Sequence, residues 1–554
     1  MLDHLRFRAL NGLWLAQQRA GHRAFRAALD RPADVQAGQL RRLLTRHAAS
    51  AYGRRFGFAR LATVRAYQDA VPIVSAEALA PWIKSVKAGR RNVLTAEPVL
   101  IFETTGGSTG GAKYIPYTAG LLAELRRALA AWMVDLGDHR PQLRTGGAYW
   151  SVSPAARSRE VTRGGIPVGF DADTQYFGPL QRWALGRLML TPPELAAVDD
   201  MANSRYVTLR FLLASTDLAW ISVWNPSFLT LLVAALDDWA PRLIEDVERG
   251  TLSPPVPLPA ALAAALRRRL GPRPARARAL RALVSHAGRL RPIDVWPRLR
   301  LISCWTAAAA ARFVPELERA FPGVEIQGKG LLATEGVISI PLVGHQGGAV
   351  AVTSHFYEFA DVASPAGRPL LCHEIEEGRR YSVILTTGGG LYRYALQDIV
   401  RVVGRVGATP LIEFVGRAGA VSDLCGEKLA ETQVARVLDE AAARLGLRCP
   451  FLLLAPEWGA PPHYTLFAEA SGCSDAGLVR LAGEVEAGLL ASPSYAYCRR
   501  LGQLGAVRAF RIHGRGADAY LRRCRQLGQL AGAVKPAVLH PAPGWSAHVP
   551  GALV

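Results

Sequence analysis

The sequence lacks several features that would assign it to a common protein class. It has no apolar run approaching the roughly 20 residues that span a bilayer. Residues 1–29 mix arginines with apolar residues and lack the continuous apolar core and cleavage site of a secretory signal. The seven cysteines are scattered and contain no Cys-x-x-Cys pair, so no metal or redox site is indicated. We therefore expect reduced thiols, a cytoplasmic location and no membrane span.

The positive charge of the chain is concentrated in one segment. The formal net charge is +21, and residues 267–300 hold eleven arginines and one acidic residue, Asp294. This segment has no Tyr or Phe, so it offers little on which nucleic-acid bases could stack. We expect a solvated helical face and no nucleic-acid partner, and a docking surface for an acidic carrier protein stays open.

Length and pattern indicate an α/β protein with more than one folding unit. The chain has 554 residues, of which 50% are hydrophobic and 20% charged, as in globular proteins. Helical and strand patterns alternate from about residue 95 to 350. We predict a large N-terminal domain of sheets and helices over residues 1–415, a hinge linker over 416–427 and a small C-terminal domain over 428–554.

A glycine-rich stretch, IFETTGGSTGGAKYIPYT at residues 101–118, follows an apolar run that predicts a strand over residues 97–102 and precedes a helical pattern. Glycines allow close approach of the backbone, and successive amides can cradle phosphate oxygens. The P-loop pattern fails because Ala112 stands where its lysine belongs, and the dinucleotide pattern fails in register. Alone, the stretch is either an anion site or a surface loop.

Two further motifs place carboxylates beside turns. GKGLLATEGVISIP, residues 328–341, sets Glu335 where it can bind Mg²⁺ together with phosphate oxygens, or simply cap a helix or form a salt bridge. TTGGGLYRYALQDIVRVVG, residues 386–404, carries Asp398 on a strand, where it can accept ribose hydroxyls or lie on the surface. Three such motifs in one chain favour an enzyme that handles a nucleotide.

TTGGSTGGAK, ATEG and YRYALQD resemble, in this order, three motifs of the adenylate-forming superfamily. Within it, the chain is most similar to the Gretchen Hagen (auxin-responsive) acyl acid amido synthetases, known in plants and found also in bacteria. Further similarities are YGRRFGF (residues 52–58), WNPSFLTLL (224–232) and FYEF (356–359), and the resemblance runs from about residue 40 to 540. We identify a bacterial-type member, which implies a small, mobile α+β C-terminal domain.

The resemblance implies a two-step reaction that uses ATP and Mg²⁺. A carboxylic acid is adenylated with release of pyrophosphate, and an amine or amino acid then takes the acyl group and expels AMP. Two alternatives stay open: transfer of the acyl group to CoA or a carrier thiol, and a degenerate relative that binds nucleotide without catalysis.

The resemblance also implies roles for individual residues. Glu335 would bind Mg²⁺, Thr334 would lie near the α-phosphate, Asp398 would hold the ribose, and Lys428 would reach the phosphates. Lys535 lies in a weaker motif match, which ranks it below Lys428. The full nucleotide-binding set is Thr105, Gly106, Gly107, Ser108, Thr109, Gly110, Leu331, Asp398 and Arg417, and the catalytic set is Thr334, Glu335, Lys428 and Lys535.

The chain departs from the family pattern at the nucleotide site and is less informative about the acid. Leu331 replaces the usual aromatic residue that packs on adenine, and Gln397 replaces a usual glycine. The aromatic residues in the regions that wall the acyl pocket of the family are Trp150, Tyr176, Phe177, Trp220 and Trp224. They favour an apolar or aromatic acid.

Overall fold

A computed structural model of the chain describes residues 2–105, 113–151, 160–169, 179–417, 421–422, 424, 427, 429–470, 472–500, 504–529 and 534–554. In these ranges the α-helices are α1 Leu2–Ala28, α2 Pro32–His47, α3 Ala51–Arg55, α4 Val64–Ala70, α5 Ala76–Lys87, α6 Ala119–His139, α7 Pro179–Leu188, α8 Met201–Leu213, α9 Pro226–Arg249, α10 Ala260–Arg267, α11 Pro274–Ala287, α12 Pro292–Val295, α13 Val314–Ala320, α14 Glu431–Arg444, α15 Asp475–Leu489, α16 Pro493–Arg500 and α17 Gly516–Gln526.

The strands of the same ranges are β1 Ile101–Thr105, β2 Lys113–Tyr117, β3 Gly147–Trp150, β4 Glu160–Val161, β5 Pro167–Val168, β6 Leu218–Ser222, β7 Leu301–Cys304, β8 Glu325–Gly328, β9 Leu332–Ala333, β10 Gly336–Val337, β11 Ser339–Pro341, β12 Gly348–Val350, β13 Phe356–Asp361, β14 Leu370–Leu371, β15 Arg380–Thr386, β16 Tyr394–Val406, β17 Thr409–Arg417, β18 Val421–Ser422, β19 Leu429–Ala430, β20 Phe451–Glu457, β21 His463–Glu469, β22 Arg508–Ile512 and β23 Gly551–Leu553.

Two sheets dominate the part of the chain before residue 418. An antiparallel sheet has the strand order β11-β12-β17-β16-β15-β13-β14, and a parallel sheet has the order β3-β6-β7-β8. The central strand β7 is buried along its whole length, as expected for a parallel sheet with both faces covered. A mixed sheet, β2-β1-β5-β4, lies beside them. The predicted α/β class is confirmed.

Helix α6 connects the glycine-rich stretch to both large sheets. It begins at Ala119 and is capped by Thr118, whose hydroxyl oxygen accepts a hydrogen bond from the Leu121 amide. This bond satisfies one of the free donors of the first turn. Most of its residues are buried, and it packs against α1. The strand that the sequence predicts over residues 97–102 is β1, which begins later, at Ile101. Glu97 lies before the strand, where its carboxylate accepts a hydrogen bond from the Gly120 amide of α6.

The residues after 428 build separate cores around a four-stranded sheet, β20-β21-β22-β23. Helices α14 and α15 cover one face, and α17 packs on the other. Phe313, from the larger part, joins the second of these cores, and Arg205 pairs with Asp518 at 3.4 Å. The domain limits that we predict from the sequence stay a prediction.

The arginine-rich segment forms α10, α11 and α12, and many of its guanidinium groups have partners. Arg276 donates hydrogen bonds to backbone carbonyls. The ion pairs of this segment include Arg269–Glu194, Arg281–Glu248, Arg289–Asp237, Arg291–Asp294 and Arg298–Asp217. These contacts balance part of the charge of the segment locally. Among the described residues, no helix is both long enough and apolar enough to cross a membrane.

Candidate active site

The first motif lies at the end of a strand pair. Strands β1 and β2 are antiparallel, and Thr105 is paired with Lys113 in their register. The backbone of Thr105 is therefore positioned as the last residue of β1. The other predicted phosphate-binding residues, Gly106, Gly107, Ser108, Thr109 and Gly110, lie outside the described residues, and their role stays a prediction.

The second motif is a tight hairpin with the predicted catalytic residues at its tip. Strands β9 and β10 pair through Ala333 and Gly336, which leaves Thr334 and Glu335 as the two residues of the turn. The Tyr117 hydroxyl, at the end of β2, donates a hydrogen bond of 2.6 Å to the Thr334 carbonyl oxygen. The first and second motifs are thus held side by side.

The third motif reaches the same place from the antiparallel sheet. The Tyr394 hydroxyl, at the start of β16, lies 3.5 Å from Oε1 of Glu335, and the Glu335 side chain is buried. The preceding residue, Arg393, anchors the strand through two hydrogen bonds of 3.0 and 2.9 Å to the Glu358 carboxylate. All three motifs therefore converge around Glu335.

Asp398 lies four residues further along β16 and is buried. In the register of the antiparallel sheet it is paired with Arg417 of β17, so the predicted ribose ligand and the predicted nucleotide-positioning arginine are cross-strand neighbours. Gln397 adopts a φ of 65°, in the left-handed region. Glycine adopts this conformation without steric cost, which is a physical reason for the glycine that the resemblance leads us to expect there.

A buried hydrogen-bond network holds the backbone of the second and third motifs in place. The Glu124 carboxylate, on α6, accepts hydrogen bonds from the Gly388 amide and from Nδ1 of His355, at 2.9 and 2.7 Å. Nε2 of His355 accepts from the Val337 amide of β10 at 3.2 Å, so the imidazole proton is on Nδ1. A Cβ on Gly336 would lie 2.7 Å from His355 Nε2, so this approach requires glycine.

Sequence reasoning missed this network, which we call the Glu124 network, although one signal for it was available. Glu124 is at a position of α6 that shares a helix face with Leu121, Leu125 and Ala128, all buried. A carboxylate within an apolar stripe indicates a buried partner.

A cavity of about 310 Å³ lies beside the second motif. Its wall includes Leu331, Trp305, Phe414 and Lys535. The Lys535 ammonium is 6.0 Å from the centroid of the Trp305 ring and 5.9 Å from that of Phe414. The structure thus brings together Leu331 and Lys535, which are far apart in sequence. Lys428 lies outside the described residues.

The carboxyl ends of the parallel strands β3, β6, β7 and β8 lie at the edge where open α/β sheets bind ligands. Trp150, Ser222, Ser303 and Gln327 are in register across the four strands. The predicted pocket residues Trp150 and Trp220 lie here with their rings 5.5 Å apart, whereas Tyr176 and Phe177 lie outside the described residues.

The residues present fit a nucleotide with a magnesium ion. A cavity lined by Leu331, a buried carboxylate at Glu335 and a second one at Asp398 provide an apolar surface and hard oxygen ligands. Within the described ranges there is no group of three or more His, Cys, Asp and Glu side chains able to hold a metal ion by themselves. A magnesium ion that shares one carboxylate with substrate oxygens does not need such a group.

Models of one protein family match most of the chain. The GH3 family N-terminal domain matches residues 21–326, and the GH3 family central domain matches residues 348–417. The chain belongs to the GH3 family.

Similar proteins agree with this assignment over nearly the full length. The chain is 27% identical to the probable indole-3-acetic acid-amido synthetase GH3.12 of Oryza sativa subsp. japonica, over 91% of this chain and 90% of that protein. It is 24% identical to the indole-3-acetic acid-amido synthetase GH3.10 of Arabidopsis thaliana, over 84% of each. Its fold matches a GH3.15 acyl acid amido synthetase with a TM-score of 0.80 and 20% identity, over 95% of this chain and 96% of that one.

Proposed function

We propose that this protein is an acyl acid amido synthetase, which activates a carboxylic acid with ATP and transfers the acyl group to an amine or amino acid. The observation that carries the proposal is the convergence of the three motifs around Glu335. Family membership and the names of the relatives, which are amido synthetases, support it.

The residues have distinct tasks in this reaction. The cavity beside Leu331 takes the base of ATP, and Asp398 accepts hydrogen bonds from the ribose. Thr105 and the glycine-rich residues that follow it bind the triphosphate, and Glu335 would hold Mg²⁺, which would supply positive charge beside the phosphates. Lys428 and Lys535 supply positive charge from the small domain during attack of the carboxylate on the α-phosphorus.

Nucleotidyl transfer of this kind depends on positioning and charge stabilisation, so it needs no enzyme nucleophile. The Glu124 network contributes by fixing the backbone two residues after Glu335, at Val337, and at Gly388 within the third motif. In the second step an amine attacks the acyl carbonyl and AMP leaves. We assign rearrangement between the steps to a hinge over residues 416–427 and a small domain over 428–554.

Several finer statements belong to this proposal and rest on the sequence. They are a bacterial-type origin, although the named relatives are plant proteins, and a cytoplasmic location. A carrier-protein partner has less support, because many arginines of residues 267–300 pair within the chain.

The proposal is tested by a screen of carboxylic acids for acid-dependent exchange of labelled pyrophosphate into ATP. We expect exchange with a small set of apolar or aromatic acids, and AMP release that an amino acid accelerates. Acceleration by CoA instead of amines would make the protein a thioester-forming ligase, and absence of exchange with every acid would contradict the proposal.

A further inference from the structure

Phe313 belongs to the larger part of the molecule but is buried in a core of the C-terminal part, residues 429–554. It is the last residue of a 3₁₀ turn, Ala308–Phe313, and 8% of it is exposed. The core that it joins includes side chains of β20, β21, β22 and α17. Among the described residues, Phe313 is the only member of this core that precedes residue 429. We call this core the Phe313 core.

The segment that leads to Phe313 forms part of the wall of the cavity beside the second motif. Five of its residues line the cavity: Trp305, Thr306, Ala307, Ala308 and Ala310. We call residues 305–313 the cavity segment. One short piece of chain therefore contacts the cavity at its start and the Phe313 core at its end.

The backbone of the cavity segment is strained at Ala308. Its φ is 51°, in the left-handed region that residues other than glycine adopt at a cost. Such a conformation persists only where the surroundings fix it. At the start of the segment the Trp305 amide donates a hydrogen bond of 2.8 Å to the Trp224 carbonyl oxygen, and at its end Phe313 is buried. The segment is therefore a fixed connection.

Lys535 connects the Phe313 core back to the same cavity. Its Nζ lies 6.0 Å from the centroid of the Trp305 ring, and the residue lines the cavity. Its carbonyl oxygen accepts a hydrogen bond of 3.2 Å from the hydroxyl of Tyr520, a buried member of the Phe313 core. The contacts thus form a closed path from the cavity through Phe313 and Tyr520 to Lys535 and back to the cavity.

A second contact between the two parts is weaker. Arg205 of α8 lies 3.4 Å from Asp518 of α17, and both side chains are partly exposed. Ion pairs of this kind add little to stability, whereas burial of an aromatic ring contributes more. Phe313 therefore contributes more than this ion pair to holding the C-terminal part at the cavity.

We propose that Phe313 is a positioning residue for adenylation. Buried in its core, it sets the position of Lys535 on the cavity wall. A nucleotide in the cavity fixes the cavity segment and thereby favours this position of the C-terminal part. This inference rests on the proposed function for the identity of the ligand as ATP.

A double-mutant cycle on the full chain tests the proposal. Lys535→Ala is expected to lower pyrophosphate exchange about 10-fold, and Phe313→Ala should lower it by a similar factor, in kcat and not in KM for the acid. The double variant should be no more than about 2-fold worse than either single variant, because both changes remove the same contribution. Phe313→Leu keeps an apolar side chain and should stay within about 3-fold of the wild type.

Two variants serve as controls. Phe321 is a buried phenylalanine of the larger part that lies in the core around the parallel sheet. Phe321→Leu should lower the free energy of unfolding and leave exchange per folded molecule within about 2-fold of the wild type. Arg205→Ala, which removes the exposed contact between the two parts, should also change exchange by less than about 2-fold.

A second measurement needs no acid. Hydrogen–deuterium exchange of backbone amides is followed with and without ATP and Mg²⁺. In the wild type we expect the nucleotide to slow exchange in residues 305–313 and in α17, the helix that contains Tyr520. In Phe313→Ala the slowing should remain in residues 305–313 and be lost in α17. If Phe313→Ala does not fold, Phe313→Leu takes its place, and the slowing in α17 should be reduced.

Two results overturn the positioning role. One is a double variant whose loss equals the product of the two single losses, which would make Phe313 a structural residue. The other is slowing in α17 that is absent in the wild type or unchanged in the Phe313 variant. Failure of the proposed function is seen separately, as protection by the nucleotide without pyrophosphate exchange for any acid.

Discussion

The antiparallel and the parallel sheet contribute to the candidate site in different ways. Beside the antiparallel sheet, Glu335 and Asp398 are held by motifs of a few consecutive residues. In the parallel sheet, Trp150, Ser222 and Ser303 come from strand ends that are far apart in sequence and adjacent only in the fold. The residues of each motif are thus close together in sequence, whereas the residues at the ends of the parallel strands are brought together only by the topology of the sheet.

The largest effect is expected for Glu335→Gln, a substitution in the second motif. The change keeps the shape of a buried side chain and removes its charge, so exchange should fall by about 100-fold or more with every acid, while thermal stability changes little. The Mg²⁺ concentration needed for residual activity should rise. Glu376 is an exposed glutamate near the antiparallel sheet, so Glu376→Gln provides the control. Unchanged activity per folded molecule would make Glu335 a structural residue.

Lys535→Ala should have the next largest effect. The ammonium lies on the wall of the cavity with Leu331, so its removal should lower pyrophosphate exchange about 10-fold for all acids, since one cation is lost near developing negative charge. We predict a greater loss for Lys428→Ala under the same conditions. The opposite order would identify Lys535 as the lysine that contacts the phosphates. Either substitution should lower exchange with every acid to a similar degree.

Lowering the pH should destabilise the packing around His47, beside the antiparallel sheet, more than the packing around the parallel sheet. Burial lowers the pKa of His47, on α2, to about 4, so the unfolded chain binds a proton that the folded chain does not between pH 6.5 and 4. Stability is therefore lost as the pH falls through this window, by about 2 kcal/mol between pH 7 and 5 for this histidine. Described residues 179–326 contain only one histidine, His286, and it is exposed.

The measurement is urea unfolding at pH 7 and pH 5. His47→Asn should remove about 2 kcal/mol of the loss, whereas His286→Asn should leave it unchanged. An equal loss in wild type and His47→Asn would show that His47 is not responsible.

The smallest expected effect is that of Gln397→Gly. The left-handed φ of 65° costs a non-glycine residue on the order of 1 kcal/mol, so glycine should raise the free energy of unfolding by up to about that amount. Gln397→Ala is the matched control, because it shortens the side chain and keeps the backbone strain. A gain in the alanine variant equal to that in the glycine variant would exclude the backbone explanation.

Much of the fold and of the three motifs could be predicted from the sequence. The α/β class is confirmed, and the helix expected after the glycine-rich stretch is α6. Membership of the GH3 family, predicted from motif order, is confirmed as well. The start of β1 was wrong, because the side-chain contact of Glu97 with α6 is not visible in a local pattern.

The parallel-sheet side could not be predicted for a physical reason. A single serine at the end of a strand, such as Ser303, has no local signature, and its position beside Ser222 and Gln327 arises only from the register of the sheet. Lys329 resembled an ordinary charged residue in a glycine-rich turn, because the two indoles that flank it come from α6 and from the residues after β6. Glu124 likewise depends on partners more than 200 residues away.

The Glu124 network has a consequence for how this protein can change over evolutionary time. Glu124 and His355 are hydrogen-bonded to each other in a buried place, so replacing either one alone leaves a buried polar group without its partner. A side chain at Gly388 would instead bring a Cβ within 2.8 Å of Oε1 of Glu124. Substitutions at these positions therefore have to occur together, so these positions change slowly during evolution. Ser303, near the end of β7, is different, because its hydroxyl has no hydrogen-bond partner among the described residues. One substitution there can leave the fold intact, so the ends of the parallel strands can change in single steps while the Glu124 network stays fixed.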